Sequence, residues 1–257
     1  MRRAARLALT AALACSVCSC REKLPPPITE TKPAVSSEVK TKPPEKKDYV
    51  VLALESPRIV LIGDSIVHDN KALVSRRILT ILSEEKGETL VANKTKRGEL
   101  VRYWIGKQFD QSVSSKDYNI IVLQGGVNDI MWWVMQSKPA ARENIFRRLL
   151  NRFGEMIAQA EENKKVLVLV TVSPWKDKGP WNTEAQRYTE RLNQWMKKQE
   201  TRKGVFAADT YSALVSKTDP YAMDERYQGK DVQHPNGEGS RVIADTILRA
   251  IHVDKNK

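Results

Sequence analysis

The chain has 257 residues, 41% of them hydrophobic and 29% charged, which is the balance of a soluble globular protein long enough for one domain with a full core. Its formal net charge of +12 is shared among three leader arginines (Arg2, Arg3, Arg6), a proline-rich stretch, and a body in which the excess is spread along helices rather than gathered in one run. That pattern describes a solvated basic exterior, and no nucleic-acid-binding motif accompanies it. All three cysteines fall within the first twenty residues, so the rest of the chain holds neither a disulfide framework nor a thiolate metal site. The three scattered histidines and the carboxylates show no ligand spacing, so no metal and no other cofactor is expected.

The opening, MRRAARLALTAALACSVCSC, has a cationic start, an apolar run from Leu7 to Ala14, and small residues around cysteine. That is the form of an export signal, too short for a permanent membrane anchor. It resembles a bacterial lipoprotein signal, in which a cysteine after small residues is lipidated. Val17 and Ser19 suit cleavage before Cys20, with Cys15 as the alternative and plain secretion as the other outcome. Residues 21–48 are rich in Pro, Lys, Glu, Ser and Thr and bury too little to fold, so they read as an extended tether. The expected organisation is a signal peptide over 1–20, a disordered linker over 21–48 and a catalytic domain over 49–257. The expected location is the cell envelope, with a lipid anchor in its membrane.

From residue 49 strands and helices alternate. RIVLI (58–62) is a continuous apolar strand, and NKALVSRRILTILSEE (70–85) places Leu73, Val74, Ile78, Ile81 and Leu82 at helical spacing. A second strand is expected at 88–93, a short helix at 99–109, and a third strand at 119–124. A long amphipathic helix follows over 140–163, a fourth strand over 165–172, a helix over 183–201, a short strand over 204–209 and a closing helix over 237–251. Buried strands separated by helices give a parallel sheet covered on both faces, and such sheets bind ligands beyond the carboxyl ends of their strands.

Four polar clusters fall at that rim or in a late loop. Gly63-Asp64-Ser65 follows the first strand, NKTKRG (93–98) the second and QGGVND (124–129) the third, while DVQHPN (231–236) precedes the last helix. A serine hydroxyl attacks well only when a histidine takes its proton and a carboxylate holds that histidine's tautomer. The oxyanion of acyl transfer needs fixed donors, and the N–H groups of Ser65 and Gly98 with the side-chain amide of Asn128 would supply three. Each cluster alone has a plainer reading: Ser65 as a helix cap, Asn128-Asp129 as a turn, Gly98 as a loop glycine. Their order along the chain favours catalysis.

The four blocks resemble those of the SGNH (GDSL-type) hydrolase superfamily, with GDS, a glycine after the second strand, GVND and DVQH in order over roughly residues 58–251. The resemblance implies a flavodoxin-like three-layer α/β/α sandwich with about five parallel strands, and esterase or thioesterase chemistry without metal. It implies Ser65 as nucleophile, His234 as base and Asp231 as its partner, with Ser65, Gly98 and Asn128 as the oxyanion hole. The sequence departs from the pattern at Thr95, where a second glycine is usual, and at His68 and Asp69, where small residues are usual. Lys94, Lys96 and Arg97 also make that loop basic.

Asp64, Trp132, Trp133 and Trp175 are candidate substrate-binding residues, since the tryptophan loops should border the crevice and aromatic faces stack on sugars or line acyl pockets. Local packing is the equal alternative for Trp132, Trp133, Trp175 and Trp181, whereas Trp104 and Trp195 are expected in the core. The expected substrate is a small-molecule or carbohydrate ester, with acetylated carbohydrate first. Lysophospholipase, thioesterase and acyltransferase activities use the same machinery. A lipid-anchored scaffolding domain is the non-enzymatic alternative.

Overall fold

A computed structural model of the chain describes residues 56–68, 73–176, 182–231 and 233–251. The expected signal peptide with Cys20, the linker, Asp69, Trp181 and His252 lie outside the described residues.

Five strands form one parallel sheet: β1 (Arg58–Gly63), β2 (Leu90–Thr95), β3 (Ile120–Gln124), β4 (Val166–Val170) and β5 (Val205–Ala208), in the order β2-β1-β3-β4-β5. Every residue of β3 and β4 is buried. Both strands are runs of Ile, Val and Leu almost without a polar break, as a sheet covered on two faces requires. The helices are α1 (Leu73–Lys86), α2 (Gly106–Val113), a single turn α3 (Val127–Asp129), α4 (Pro139–Glu162), α5 (Asn182–Lys198), a short α6 (Thr210–Leu214) and α7 (Gly237–Ile251). α1 packs on α7, and α7 on β4 and β5, on one face. α2 and α5 pack with α4 on the other, where Phe146 meets Tyr188 with ring centroids 4.9 Å apart. This is the three-layer flavodoxin-like sandwich the sequence leads one to expect.

β1 is the pivot of the sheet. It pairs with β2 on one side and β3 on the other, so successive connections leave in opposite directions and open a crevice beyond its C-terminal end. Gly63 ends β1 because nothing larger fits: a Cβ there would come within 2.6 Å of Val67 and 2.9 Å of the Gln124 side chain. The close approach lets the following turn fold directly over the strand end.

Two differences from the sequence reading bear on the site. β2 lies two residues later than expected, 90–95 instead of 88–93, which brings Thr95 opposite Gly63 at the rim. The helix expected over 99–109 is a π-helical turn, Val101–Ile105, continuing into α2, and a second π-helical turn, Ile130–Val134, follows α3. Both begin within a few residues of the segments that follow β2 and β3, and π-helical turns recur at functional sites.

Candidate active site

Asp64 sets the turn that presents Ser65. Its N–H donates to Gln124 Oε1 at 3.0 Å and its Oδ1 accepts the N–H of Ile66 at 3.0 Å, while its side chain is wholly buried. Asp64 therefore shapes the loop from below and is not among the substrate-binding residues; that expectation is corrected. Ser65 lies partly exposed on the turn above it.

The other half of the site arrives with the loop before α7. Asn236 caps that helix, its Oδ1 accepting the N–H groups of Glu238 and Gly239 at 2.9 Å each. The loop is closed by Gly229 N–H donating to the His234 carbonyl at 2.8 Å and Asn236 N–H to the Tyr227 carbonyl at 2.7 Å. Within it, Asp231 Oδ1 accepts the N–H groups of Gln233 (2.9 Å) and His234 (2.8 Å), so the carboxylate and the imidazole are locked to each other through the backbone.

His234 Nδ1 is 2.9 Å from both carboxylate oxygens of Asp231, and His234 Nε2 is 2.9 Å from Ser65 Oγ. Partial burial opposes charge on Asp231, but the His234 N–H, the His234 ring and the Gln233 N–H outweigh it and hold the carboxyl below its ordinary range. A charged carboxylate can only accept, so Nδ1 carries the ring proton. Nε2 is then the acceptor for the Ser65 hydroxyl.

The three expected oxyanion donors border one cavity. It has a volume of about 490 Å³ and is lined by Ser65, Gly98, Asn128 and His234 together with Ile66, His68, Arg97, Asp231, Gln233 and Pro235. Asn128 Nδ2 donates one hydrogen to the Glu99 carbonyl at 3.1 Å, and Asp129 Oδ2 accepts the Val101 N–H at 2.9 Å. These two bonds clamp the loop after β2 against α3, which sets Gly98 beside Asn128. Gly98 adopts φ +69° with open space where a side chain would stand. The N–H groups of Ser65 and Gly98 have no partner among the described residues.

Asp64 and Asp129 form a buried acidic floor. Burial raises Asp64 to about 6 against the opposing effect of the Ile66 N–H and Gln124. Burial likewise raises Asp129 to about 7, with the charge of Asp64 adding to it against the Val101 N–H and Arg102. Asp64 Oδ2 and Asp129 Oδ1 have no hydrogen-bond partner among the described residues, and an oxygen buried without a donor disfavours the charged form of each carboxyl. Among the described residues no cluster of three His, Cys, Asp or Glu side chains stands together as a metal site would.

No tryptophan among the described residues lines the cavity. Trp175 is buried at 2% exposure, its Nε1 donating to Thr189 Oγ1 at 3.3 Å, so its expected place at the crevice is corrected to the core. Trp133 packs partly against the core with the Arg102 guanidinium 4.1 Å from its ring centre, and Trp132 stands on the surface at 58% exposure. Trp195 is partly buried against the core, whereas Trp104 lies under the Lys96 ammonium at 4.6 Å. His68, Arg97 and Gln233 also line the cavity, although they are not among the site residues expected from the sequence. Their signal was position alone, since each lies within three residues of Ser65, Gly98 or His234.

A parallel sheet carrying a serine, a histidine and a carboxylate in one hydrogen-bonded line at its C-terminal rim defines the serine-hydrolase class. Residues 61–242 match the model of the GDSL-like lipase/acylhydrolase family, and the chain belongs to that family, a hydrolase of the SGNH type. No curated protein matches the chain in sequence. Among solved structures, the chain is similar to an acetylxylan esterase from Geobacillus stearothermophilus (17% identity, 77% of this chain and 95% of that one, TM-score 0.60). It is also similar to a putative acylhydrolase from Bacteroides fragilis (22% identity, 78% and 91%, TM-score 0.57). A third likeness is to a GDSL-like lipase from Bacteroides thetaiotaomicron (20%, 76% and 87%, TM-score 0.55). At these identities the likeness is one of fold.

Proposed function

We propose that the chain is a serine esterase that removes a short acyl group, acetyl above all, from a carbohydrate or similar polar carrier. Ser65 is the nucleophile, His234 the general base and Asp231 the group that holds the imidazole. The observation that carries the reading is the single line Asp231–His234–Ser65, with 2.9 Å at each link. His234 Nε2 takes the Ser65 proton as Oγ bonds to the ester carbon. The resulting oxyanion meets the N–H groups of Ser65 and Gly98 and the Asn128 amide. Collapse breaks the bond to the leaving oxygen, which receives the proton from His234, and the acyl group stays on Oγ. Water then repeats the sequence: His234 takes its proton, the hydroxide adds to the acyl carbon, and Ser65 leaves with that proton restored.

The character of the cavity supports a short acyl group. Only Ile66 and Pro235 among its ten lining residues carry apolar side chains, whereas a long acyl chain needs a continuous apolar wall. The leader and the proline-rich segment support export and tethering through Cys20, which puts this activity in the cell envelope and makes envelope or environmental glycan esters the natural substrates. The test is an acyl-length series of aryl esters on the domain, with and without Ser65→Ala. The reading predicts turnover that falls steeply beyond acetyl or propionyl and vanishes in the variant. Wild-type inertness, or activity that survives Ser65→Ala, contradicts it.

A further inference from the structure

A second histidine lines the cavity, and a hydrogen-bond chain fixes both its ring and its tautomer. Thr95 lies at the end of β2, opposite Gly63 in the sheet and 9% exposed. Its N–H donates to Asn93 Oδ1 at 3.0 Å, which establishes that this end of the Asn93 amide is the oxygen. The Thr95 hydroxyl lies 2.5 Å from the same oxygen and, facing an atom that only accepts, must donate to it. Having given up its one proton, Thr95 Oγ1 is an acceptor toward His68 Nδ1, 2.9 Å away. Nδ1 therefore carries a proton, and in the neutral ring Nε2 is an acceptor with no partner among the described residues. Asn93 is itself held by Ser75, to whose Oγ its Nδ2 donates at 3.3 Å.

Catalysis does not use this ring. Ser65 Oγ already has His234 Nε2 at 2.9 Å, so His68 is surplus as a base although it stands only three residues from the nucleophile. What it offers the cavity is a hydrogen-bond acceptor of fixed orientation. Beside it, Arg97 supplies only donors. A wall with both functions suits a ligand whose groups donate and accept at once, and the hydroxyls of a sugar or other polyol are such groups.

We propose that His68, positioned by Thr95 and Asn93, is a specificity-determining residue that accepts a hydrogen bond from a free hydroxyl on the alcohol side of the ester, so that the enzyme selects acylated polyols over esters of plain alcohols. This inference rests on the esterase reading above and names its substrate class. A site that hydrogen-bonds a substrate hydroxyl discriminates against an analogue lacking it, because its own polar group is left unpaired.

The experiment compares kcat/KM for a mono-O-acetylated methyl glucoside with that for cyclohexyl acetate, a ring of similar size without hydroxyls. Wild type should favour the sugar ester by about fivefold or more, the worth of one such hydrogen bond. His68→Ala should bring the ratio toward one, chiefly through a higher KM for the sugar ester. Thr95→Val, which removes the hydroxyl that holds the ring, should lower the ratio as well, while Thr95→Ser should restore it. The serine rescue separates orientation of His68 from loss of packing, and it keeps the test open if His68→Ala does not fold. Equal Ser65-dependent turnover of both esters by wild type, or a preference that persists in both His68→Ala and Thr95→Val, overturns the inference and leaves the esterase reading standing. No Ser65-dependent turnover of either ester overturns both.

Discussion

His234 Nε2 lies 2.9 Å from Ser65 Oγ across a sequence separation of 169 residues. The two arrive from opposite ends of the domain, one on the turn that Gly63 and Asp64 fold over β1, the other on a loop whose exit Asn236 caps. Neither segment forms the hydrogen-bonded line alone. Their meeting depends on the order β2-β1-β3, which leaves the end of β1 open as a crevice.

Asp231→Asn tests the outer link. The carboxylate accepts Nδ1–H and so leaves Nε2 free for the serine, whereas an asparagine can instead present its amide and favour the other tautomer. kcat should fall by about 10² to 10⁴ with little change in KM, as expected where a triad carboxylate is neutralised without loss of shape. Steady-state kinetics beside a melting curve checks this, and a variant with wild-type kcat would remove Asp231 from the mechanism.

Asn128→Ala removes one oxyanion donor and the bond to the Glu99 carbonyl. The first loss should lower kcat by about 10² to 10³. The second should cost about 1 kcal/mol of stability and loosen the Gly98 loop. Kinetics and denaturant melts on the same sample separate the two. A variant destabilised but fully active would make Asn128 a brace and nothing more.

The buried carboxyls predict a pH dependence of stability. Asp129 is raised to about 7 and Asp64 to about 6, so between about pH 4 and their folded values the native state holds more protons than the unfolded chain. Stability should therefore fall as pH rises through that window, by at most about 1.4 kcal/mol per pH unit for each group. Asp129→Asn keeps an oxygen for the Val101 N–H but removes the titration, so its melting temperature should drop less between pH 5 and pH 8 than that of wild type. Parallel curves for the two proteins would show that Asp129 does not hold its proton.

The sequence made the sheet legible because β1, β3 and β4 are buried on both faces and admit almost nothing polar. β2 was misplaced by two residues for the opposite reason. It pairs only with β1, and its polar end, Asn93-Lys94-Thr95, reads as loop although these residues bond to one another and to the strand beside them. The same blurring concealed His68, whose partner Thr95 seemed merely to be a departure from a glycine pattern. Trp175 and Asp64 went astray because residue type reports chemistry but not depth. An indole and a carboxylate near a crevice look alike whether they face it or support it. The helical turns at 127–134 carried no polar face to give period, only Ile130, Met131, Trp132, Trp133 and Val134 in a row.

On the proposed mechanism His234 activates Ser65, which becomes acylated. Treating the folded domain with a fluorophosphonate, digesting it and mapping the adduct by mass spectrometry tests this most directly. A single adduct is expected, on the peptide holding Ser65, and it should be lost on His234→Ala while the fold survives. An unlabelled wild type, an adduct on another serine, or undiminished labelling without the imidazole would contradict it.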